Sequence, residues 1–340
     1  MEIAMGPVFD DFGGVTQHIH GIKEYSSHNI KEIPSKFSRM FYTNTNLGKH
    51  MYKMYMNSVR LKNYNVVHSH VDPWFTKLCL SSRSSNCKWA HTFHTLYFQE
   101  DYPEGLNSWQ KSINYHLLEL APKADIMISI SKWLQDYLLE NYSIYTELIP
   151  NGVDLDICDK ANSDKFTEKY GITNFVLYAG NIGSIKNPLQ FIELARNIPE
   201  ITFVMIGKGL NSNNIKKTLN NPIPKNIIAL GELIYEDSLN AISACDALVM
   251  TSKREGFPTV LLEAMSMNKP IIASNVHGCK EIVDNQNIGL LYDLFSTDDL
   301  VDKMHKLLIS KNIGKNSRSI VEKKYDWKVL AKKIDLLYEL

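Results

Sequence analysis

The sequence has 340 residues, of which 44% are hydrophobic and 22% are charged, the composition of an ordinary folded protein and not of a disordered one. A chain of this length predicts two domains, with a cleft between them as the default ligand site. Its 37 basic and 37 acidic residues cancel, so overall charge gives no reason to expect a nucleic-acid partner.

Targeting and redox signals are also informative. The five cysteines are scattered and form no C-x-x-C pair, which argues against a disulfide framework or a zinc site. No run approaches the roughly 18 apolar residues that a membrane-spanning helix needs, and the first five residues lead into Gly-Pro instead of a signal-peptide core. We therefore expect a cytoplasmic protein, either soluble or in peripheral contact with the inner face of the membrane.

Short apolar runs alternate with helical patterns twice along the chain, which predicts an α/β fold with two parallel sheets buried on both faces. Between Gly14 and Ile33 the helix and second strand are expected to be shortened, because few residues are available for them. The predicted strands of the first half are 3–5, 65–68, 89–93, 125–130 and 147–149. Those of the second half are 175–179, 201–206, 226–230, 247–251 and 271–274.

A segment rich in turn signals, Ile149-Pro150-Asn151-Gly152-Val153-Asp154, separates the two series. Proline and an Asn-Gly pair interrupt regular structure, so the domain boundary is predicted there. Residues 1–153 would form the first domain, shortened at its start, and residues 154–324 the second. Residues 325–340 would form a final helix that crosses back to the first domain.

The strongest chemical signal is a pair of glutamates that follows the predicted strand 247–251. Glu255 lies on the loop after this strand, and Glu263 lies inside the next helix. Ligands of open α/β sheets bind beyond the carboxyl ends of strands, where amides such as those of Thr259 and Val260 can hold a phosphate. Carboxylates accept hydrogen bonds from hydroxyl groups. The pair therefore predicts a polyhydroxylated ligand, and the alternative is that Glu255 is a solvated loop residue and Glu263 a capping or salt-bridging residue.

Nine of the eleven histidines precede the domain boundary. His68 and His70 alternate at one strand end, and His91 and His94 follow the next strand. Pairs of this kind are ligands in metal hydrolases, but no companion acidic motif accompanies them here. The alternative interpretation places His68, His70 and His91 in the core or in the wall of the cleft.

The segment 31–62 is strongly basic, with seven Lys or Arg and one acid, a net charge of +6 in a neutral protein. Residues 46–62 have a helical pattern with apolar and basic faces. Such a helix would suit an anionic membrane surface or an acidic acceptor. It would also be an ordinary surface helix whose apolar face joins the core, and both interpretations remain open.

The segment around Glu255 and Glu263 resembles the E-x7-E motif of glycosyltransferase family 4, and other motifs of this family occur in the right order. The resemblance covers most of the second half and isolated positions of the first. It implies the GT-B fold, in which two Rossmann-like domains face each other across a cleft. The other matching segments are 13–15, His18, His94, Ser131, 149–154, 176–188, 203–209, 269–274 and 278–283.

The resemblance also implies roles for single residues. Glu263 would bind the ribose hydroxyls and Glu255 those of the transferred sugar, while Lys186 would neutralise the leaving diphosphate and His94 would contact the sugar near its reacting carbon. His94, Lys186 and Glu255 are thus the catalytic candidates. The remaining donor-binding candidates are Gly13, Gly14, Asn181, Gly207, Thr259, Val260 and Glu263. Asn181 stands where the family commonly has arginine, so the loop carries one charge fewer and more weight falls on Lys186 and on the Gly13-Gly14 loop.

The function that the resemblance implies is that of a retaining glycosyltransferase. It would move a sugar from a nucleotide-diphosphate sugar to a hydroxyl of a glycan, a lipid or a small molecule, without a metal or another cofactor. Two alternatives stay open: an epimerase or phosphorylase on the same fold, and a nucleotide-sugar-binding protein with weak or no transfer.

Overall fold

A computed structural model describes residues 1–8, 13–35, 50, 54, 58–102, 104–218, 222–283, 287–310 and 312–340. Contacts between residues divide the chain into two units. Unit 1 comprises Met1–Gly152 together with Trp327–Leu340, and unit 2 comprises Val153–Asp326. Each unit has its own parallel sheet, and the two are described separately below.

Unit 1 contains a sheet with the strand order β2-β1-β3-β4-β5-β6, in which all neighbouring strands are parallel. The strands are β1 (Glu2–Val8), β2 (Asn29–Pro34), β3 (Val66–Ser69), β4 (Lys88–Phe93), β5 (Ile126–Ser129) and β6 (Glu147–Leu148). The helices are α1 (Gly14–Tyr25), α2 (Pro73–Ser82), α3 (Ser108–Tyr115) and α4 (Lys132–Tyr142). Short 3-10 turns occur at Gln99–Asp101 and Ala121–Lys123, and a π-helical turn at His116–Leu120.

Unit 2 contains a second parallel sheet with the order β12-β11-β10-β7-β8-β9. Its strands are β7 (Phe175–Ala179), β8 (Thr202–Ile206), β9 (Ile227–Gly231), β10 (Ala247–Met250), β11 (Ile271–Ser274) and β12 (Gly289–Tyr292). Its helices are α5 (Leu155–Cys158), α6 (Ser163–Tyr170), α7 (Pro188–Asn197), α8 (Ser212–Thr218), α9 (Tyr235–Ala244), α10 (Thr259–Ser266), α11 (His277–Ile282), α12 (Thr297–Ile309) and α13 (Ser317–Lys324).

The final helix, α14 (Trp327–Glu339), belongs to unit 1 although unit 2 precedes it in the chain. Trp327 and Tyr338 are buried in the same apolar cluster as Ile3 and Ile19. The buried carboxylate of Asp335 accepts hydrogen bonds from the end of α1, including one from Ser26 Oγ at 2.6 Å. Burying apolar surface and satisfying this carboxylate together hold α14 against α1.

The order of connections creates a crevice in each sheet. In unit 1 the chain runs from β1 outward to β2 and then returns to place β3 on the other side of β1. In unit 2 it runs from β7 through β8 to β9 and then returns to place β10 on the other side of β7. The loops that leave the carboxyl ends of such neighbouring strands diverge and open a crevice, where ligands of open α/β sheets bind.

The strands predicted from the sequence all occur, with ends within one residue of the prediction except at β1, which extends three residues further, to Val8. Strand β12 was not predicted, because a four-residue run that begins with glycine is a weak strand signal. Helix α1 has twelve residues and strand β2 has six. The predicted basic helix at 46–62 lies mostly outside the described residues. In the part of the chain that is described, no helix is both long and apolar enough to cross a bilayer.

The packing of α1 on α14 gives a stability prediction. A Cβ atom at Gly21 would lie 2.3 Å from the ring of Trp327, whereas at Gly14, in the same helix, it would meet nothing within 4 Å. Gly21→Ala should lower the free energy of unfolding by about 1 to 3 kcal/mol through overpacking. Gly14→Ala, the matched control, should change it by less than about 1 kcal/mol. Urea titrations of both variants test this, and an unchanged or raised stability of Gly21→Ala would contradict it.

Candidate active site

The crevice of unit 2 brings together two of the predicted residues. Lys186 lies on the loop after β7 and Glu255 on the loop after β10, and Lys186 Nζ is 2.6 Å and 2.9 Å from the two Glu255 carboxylate oxygens. The glutamate side chain is 8% exposed and the lysine 32%. A buried carboxylate needs such a partner. The ion pair therefore stabilises both side chains in their positions.

Backbone contacts hold the two loops in register. The amide of Lys253 donates to Ile185 O at 2.7 Å, and the hydroxyl of Thr251 donates to Asn187 O at 2.8 Å. From the strand below, Tyr178 donates its hydroxyl to Lys186 O at 3.1 Å. The backbone that carries Lys186 is therefore fixed from both sides before any ligand arrives.

The loop from Gly180 to Lys186 is braced against the end of β8. Gly207 has φ +132°, and a Cβ atom there would lie 1.7 Å from Gly180 O, so only glycine fits. Within the loop, Asn181 Oδ1 accepts a hydrogen bond from the amide of Gly183 at 2.8 Å. The amide oxygen of Asn181 thus shapes the turn.

Glu263 is buried in α10 at the same end of the sheet. Its Oε1 accepts a hydrogen bond from Tyr235 Oη at 2.9 Å, and burial raises the pKa of its carboxyl to about 7. It therefore changes charge near neutral pH. Thr259 and Val260 are the first two residues of α10, at the positive end of its helix dipole.

In unit 1 the two predicted glycines lie at the start of α1. Gly13 is the N-cap residue and Gly14 the first helical residue, and both are exposed. Neither glycine has a positive φ, and a Cβ atom on either would meet nothing within 4 Å. Nothing in the described packing therefore requires glycine at these positions.

Four histidines, His18, His68, His70 and His94, form what we call the histidine cluster. His70 Nδ1 is 3.0 Å from His94 Nε2, and the ring of His18 lies edge-on to His94 with centroids 4.8 Å apart. His68 stacks on His70 at 4.6 Å. The cluster lies at the carboxyl ends of β3 and β4 and on α1, beside the crevice of unit 1.

Burial keeps these histidines neutral. It lowers the pKa of His18 to about 4, against the raising effect of a hydrogen bond to Asn151. Burial lowers the pKa values of His68, His70 and His94 well below the usual range, and neighbouring histidines lower them further. At neutral pH the cluster is therefore polar but uncharged.

The structure groups the histidines differently from the pairs considered in the sequence. One ring nitrogen from each of His18, His70 and His94 lies within 4.8 Å of the others, a spacing that a metal ion could bridge after small ring rotations. His68 is instead engaged by Tyr338 Oη and Thr92 Oγ1 at 2.5 Å and 2.8 Å. His91 is held by Ser69 Oγ at 2.7 Å.

Three partners of the candidate residues were missed in the sequence. Tyr235, at the first position of α9, holds Glu263, and Asn151, in the boundary segment, holds His18 at 3.0 Å. Tyr338 reaches His68 from the far end of the chain. Asn151 belongs to a recognised turn motif and could have been considered, whereas an isolated tyrosine carries no pattern that marks it.

Neutral buried histidines predict that unit 1 loses stability in acid. Burial lowers the pKa of His91 from 6.5 to about 3, so below pH 6.5 the unfolded chain binds a proton that the folded chain does not. Between pH 6.5 and pH 5, this costs about 2 kcal/mol for His91 alone. His91→Leu should therefore reduce the pH dependence of unfolding by about 2 kcal/mol.

All five tryptophans lie in unit 1, so urea unfolding followed by tryptophan fluorescence at pH 7 and pH 5 reports on this unit. The control is His20→Gln, because the His20 side chain is 47% exposed. Equal pH dependence in the wild type and His91→Leu would contradict the assignment.

Comparison with known proteins identifies the family. The sequence model described as "Glycosyl transferases group 1" matches residues 159–327, and the one described as "Glycosyltransferase Family 4" matches residues 14–157. An uncharacterized glycosyltransferase of Methanocaldococcus jannaschii is 25% identical, over 100% of this chain and 98% of that protein.

A second relative matches only part of the chain. It is a UDP-Gal:alpha-D-GlcNAc-diphosphoundecaprenol alpha-1,3-galactosyltransferase of Escherichia coli, 30% identical over 57% of this chain and 53% of that protein. The chain thus matches little more than half the length of this relative.

Solved structures agree in fold. Sucrose-phosphate synthase from Thermosynechococcus elongatus superposes with a TM-score of 0.77 at 18% identity, over 100% of this chain and 98% of that one. Anabaena HepE in complex with UDP-glucose superposes with a TM-score of 0.76 at 16% identity, over 100% and 99%. With two Rossmann-like units of parallel strands, the fold is of the GT-B type, and the chain belongs to the group 1 glycosyltransferases of family 4.

Proposed function

We propose that this glycosyltransferase takes a sugar from a nucleotide-diphosphate sugar and transfers it to an acceptor hydroxyl with retention of configuration. The observation that carries the proposal is the contact of Lys186 with Glu255 in the crevice of unit 2. A cation and a carboxylate side by side are suited to a ligand that presents a diphosphate next to sugar hydroxyls.

The donor is proposed to bind across this crevice. Its diphosphate would meet Lys186 and the first amides of α10, and its ribose hydroxyls would donate to Glu263, whose orientation Tyr235 fixes. Glu255 would accept hydrogen bonds from hydroxyls of the sugar. A relative that uses UDP-Gal and a structural neighbour with bound UDP-glucose make a UDP-sugar the first donor to test.

Unit 1 is proposed to bind the acceptor. A Cβ atom on Gly13 or Gly14 would meet no atom of the described residues within 4 Å, and His94 is a neutral group suited to a sugar hydroxyl. The acceptor would be a glycan, a lipid-linked sugar or a small molecule with a free hydroxyl.

The proposed reaction is a displacement on one face of the sugar. The bond between the anomeric carbon and the β-phosphate oxygen breaks, and the acceptor oxygen forms its bond to that carbon on the same face. The acceptor proton passes to the departing diphosphate, whose charge Lys186 stabilises. A metal ion is not required by this scheme, since Lys186 and the amides of α10 take the electrostatic role.

A nucleotide screen tests donor binding. UDP, GDP, ADP, CDP and dTDP are added at about 100 times the dissociation constant, where binding stabilises by about 2.7 kcal/mol and raises the melting temperature by several degrees. One nucleotide should do so, and Glu263→Ala should abolish the shift while Glu236→Ala, an exposed glutamate on α9, should not. A well-folded protein that responds to none of them would contradict the proposed donor site.

Ionisation of Glu263 adds a pH dependence to this test. With a pKa of about 7, Glu263 is protonated as the pH falls, so the carboxylate that would accept hydrogen bonds from the ribose hydroxyls is lost. The affinity for the nucleotide should drop about tenfold between pH 8 and pH 6. Glu263→Gln removes this titration, so any remaining dependence belongs to the ligand. Identical pH profiles for both proteins would refute the role of Glu263.

The contact of Lys186 with Glu255 predicts opposite effects of two substitutions. Glu255→Gln releases Lys186 for the diphosphate, so the affinity for UDP should rise about threefold or more while sugar transfer is lost. Lys186→Met should weaken UDP binding about 10- to 100-fold. Calorimetric titration measures both, with Lys253→Met as a nearby control that should stay within about twofold. Weaker UDP binding by Glu255→Gln would exclude this arrangement.

A further inference from the structure

The histidine cluster contains two buried ring nitrogens that the fold itself leaves unsatisfied. His18 Nε2 and His70 Nε2 are both inaccessible to solvent and have no hydrogen-bond partner among the described residues. A neutral histidine has one N–H and one lone pair. Orphaned buried N–H groups are rarer and more costly than orphaned acceptors. This difference can be used to assign where the protons of the cluster lie.

His18 gives an independent example of the rule. Its Nδ1 is 3.0 Å from Asn151 Oδ1, and an amide oxygen can only accept, so Nδ1 carries the proton. The second nitrogen of this neutral ring, Nε2, therefore carries a lone pair and no proton. The unsatisfied atom of His18 is an acceptor, as the rule requires.

The direction of the hydrogen bond between His70 and His94 follows from the same difference in cost. If His94 Nε2 were the donor, His70 would accept at Nδ1 and carry its own proton on Nε2, where it would be a buried orphan N–H. If His70 Nδ1 is the donor, the atom without a partner, His70 Nε2, carries a lone pair instead of a proton. The second arrangement is favoured, and it leaves the proton of His94 on Nδ1.

We infer that His70 is a positioning residue that sets the ring tautomer of His94: His70 Nδ1–H donates to His94 Nε2, and His94 therefore presents Nδ1–H to its ligand. Given the proposed function, this ligand is an oxygen of the donor sugar. His70 does not touch the sugar in this scheme and acts only through His94.

The surroundings of His70 hold its ring in place. His68 stacks on it with an interplanar angle of 24°, and His68 is itself tied at both nitrogens, to Tyr338 and Thr92. Burial lowers the pKa values of His70 and His94, so neither gains a second proton near neutral pH. A single tautomer is therefore expected in the protein without ligand.

The tautomer is measured directly by nitrogen NMR of 15N-histidine-labelled protein, with the His94 signals assigned by their loss in His94→Leu. The wild type should show His94 protonated on Nδ1. His70→Leu should change this pattern to a mixture, and His70→Asn, whose side-chain amide can donate from near the position of Nδ1, should restore it. His91→Leu is the matched control. It also removes a buried histidine, but the His91 ring is bonded to Ser69 and not to His94. An unaltered His94 in His70→Leu would overturn the inference.

Binding measurements test the consequence for the donor. The probes are UDP and the UDP-sugar that binds best among UDP-glucose, UDP-galactose and UDP-N-acetylglucosamine. His70→Leu should lower the ratio of UDP-sugar affinity to UDP affinity about tenfold and leave the affinity for UDP unchanged. In a protein that already carries His94→Leu, adding His70→Leu should have no further effect on this ratio. An effect of His70→Leu that adds to that of His94→Leu would assign His70 a separate role.

The two proposals fail in different ways. If no UDP-sugar binds, the proposed donor fails, and the NMR result still decides the tautomer. If UDP-sugars bind but His70→Leu behaves like His91→Leu in both experiments, only the role of His70 is lost. The purified protein could also contain one equivalent of zinc that His18→Leu removes. A metal ion would then bridge His70 and His94 in place of their hydrogen bond, and this result would also overturn the inference.

Discussion

The position of the candidate site follows from one topological constraint, the reversal of strand order beside the first strand of each parallel sheet. Where β10 returns to the other side of β7, the two following loops cannot run side by side, and the crevice between them receives Lys186 and Glu255. The equivalent reversal at β1 and β3 places the start of α1 and the histidine cluster at the other crevice. Each unit therefore carries its polar groups where its connections diverge.

The two crevices differ in charge. The one in unit 2 contains a cation, two buried carboxylates and a helix N-terminus, groups that interact strongly with a diphosphate and with hydroxyls. The one in unit 1 contains buried histidines that stay neutral because burial lowers their pKa values. Charged groups are needed where charge develops on a leaving group, whereas neutral donors and acceptors are sufficient for hydroxyls.

The last helix connects these features to the stability of unit 1. α14 supplies Trp327 and Tyr338 to the core, and Tyr338 also fixes His68, on which His70 stacks. Helix α14, at the far end of the chain, thus holds His68 in place beneath His70. A first unit made only of residues 1–152 would lack this support, because the apolar face of α1 and the ring of His68 would lose their partners.

The sequence by itself determined the class of fold, the positions of nearly all strands along the chain and the family, because buried parallel strands need continuous apolar runs and because the Glu255 to Glu263 spacing is local. Gly207, which the family resemblance names as a donor-binding residue, has a packing role in the structure, the close approach to Gly180. Only the tertiary structure decided that Lys186 pairs with Glu255, that Tyr235 holds Glu263 and that His18, His70 and His94 converge. These contacts join residues between 24 and 76 positions apart, and no local pattern encodes which distant side chains the loops of a sheet will bring together.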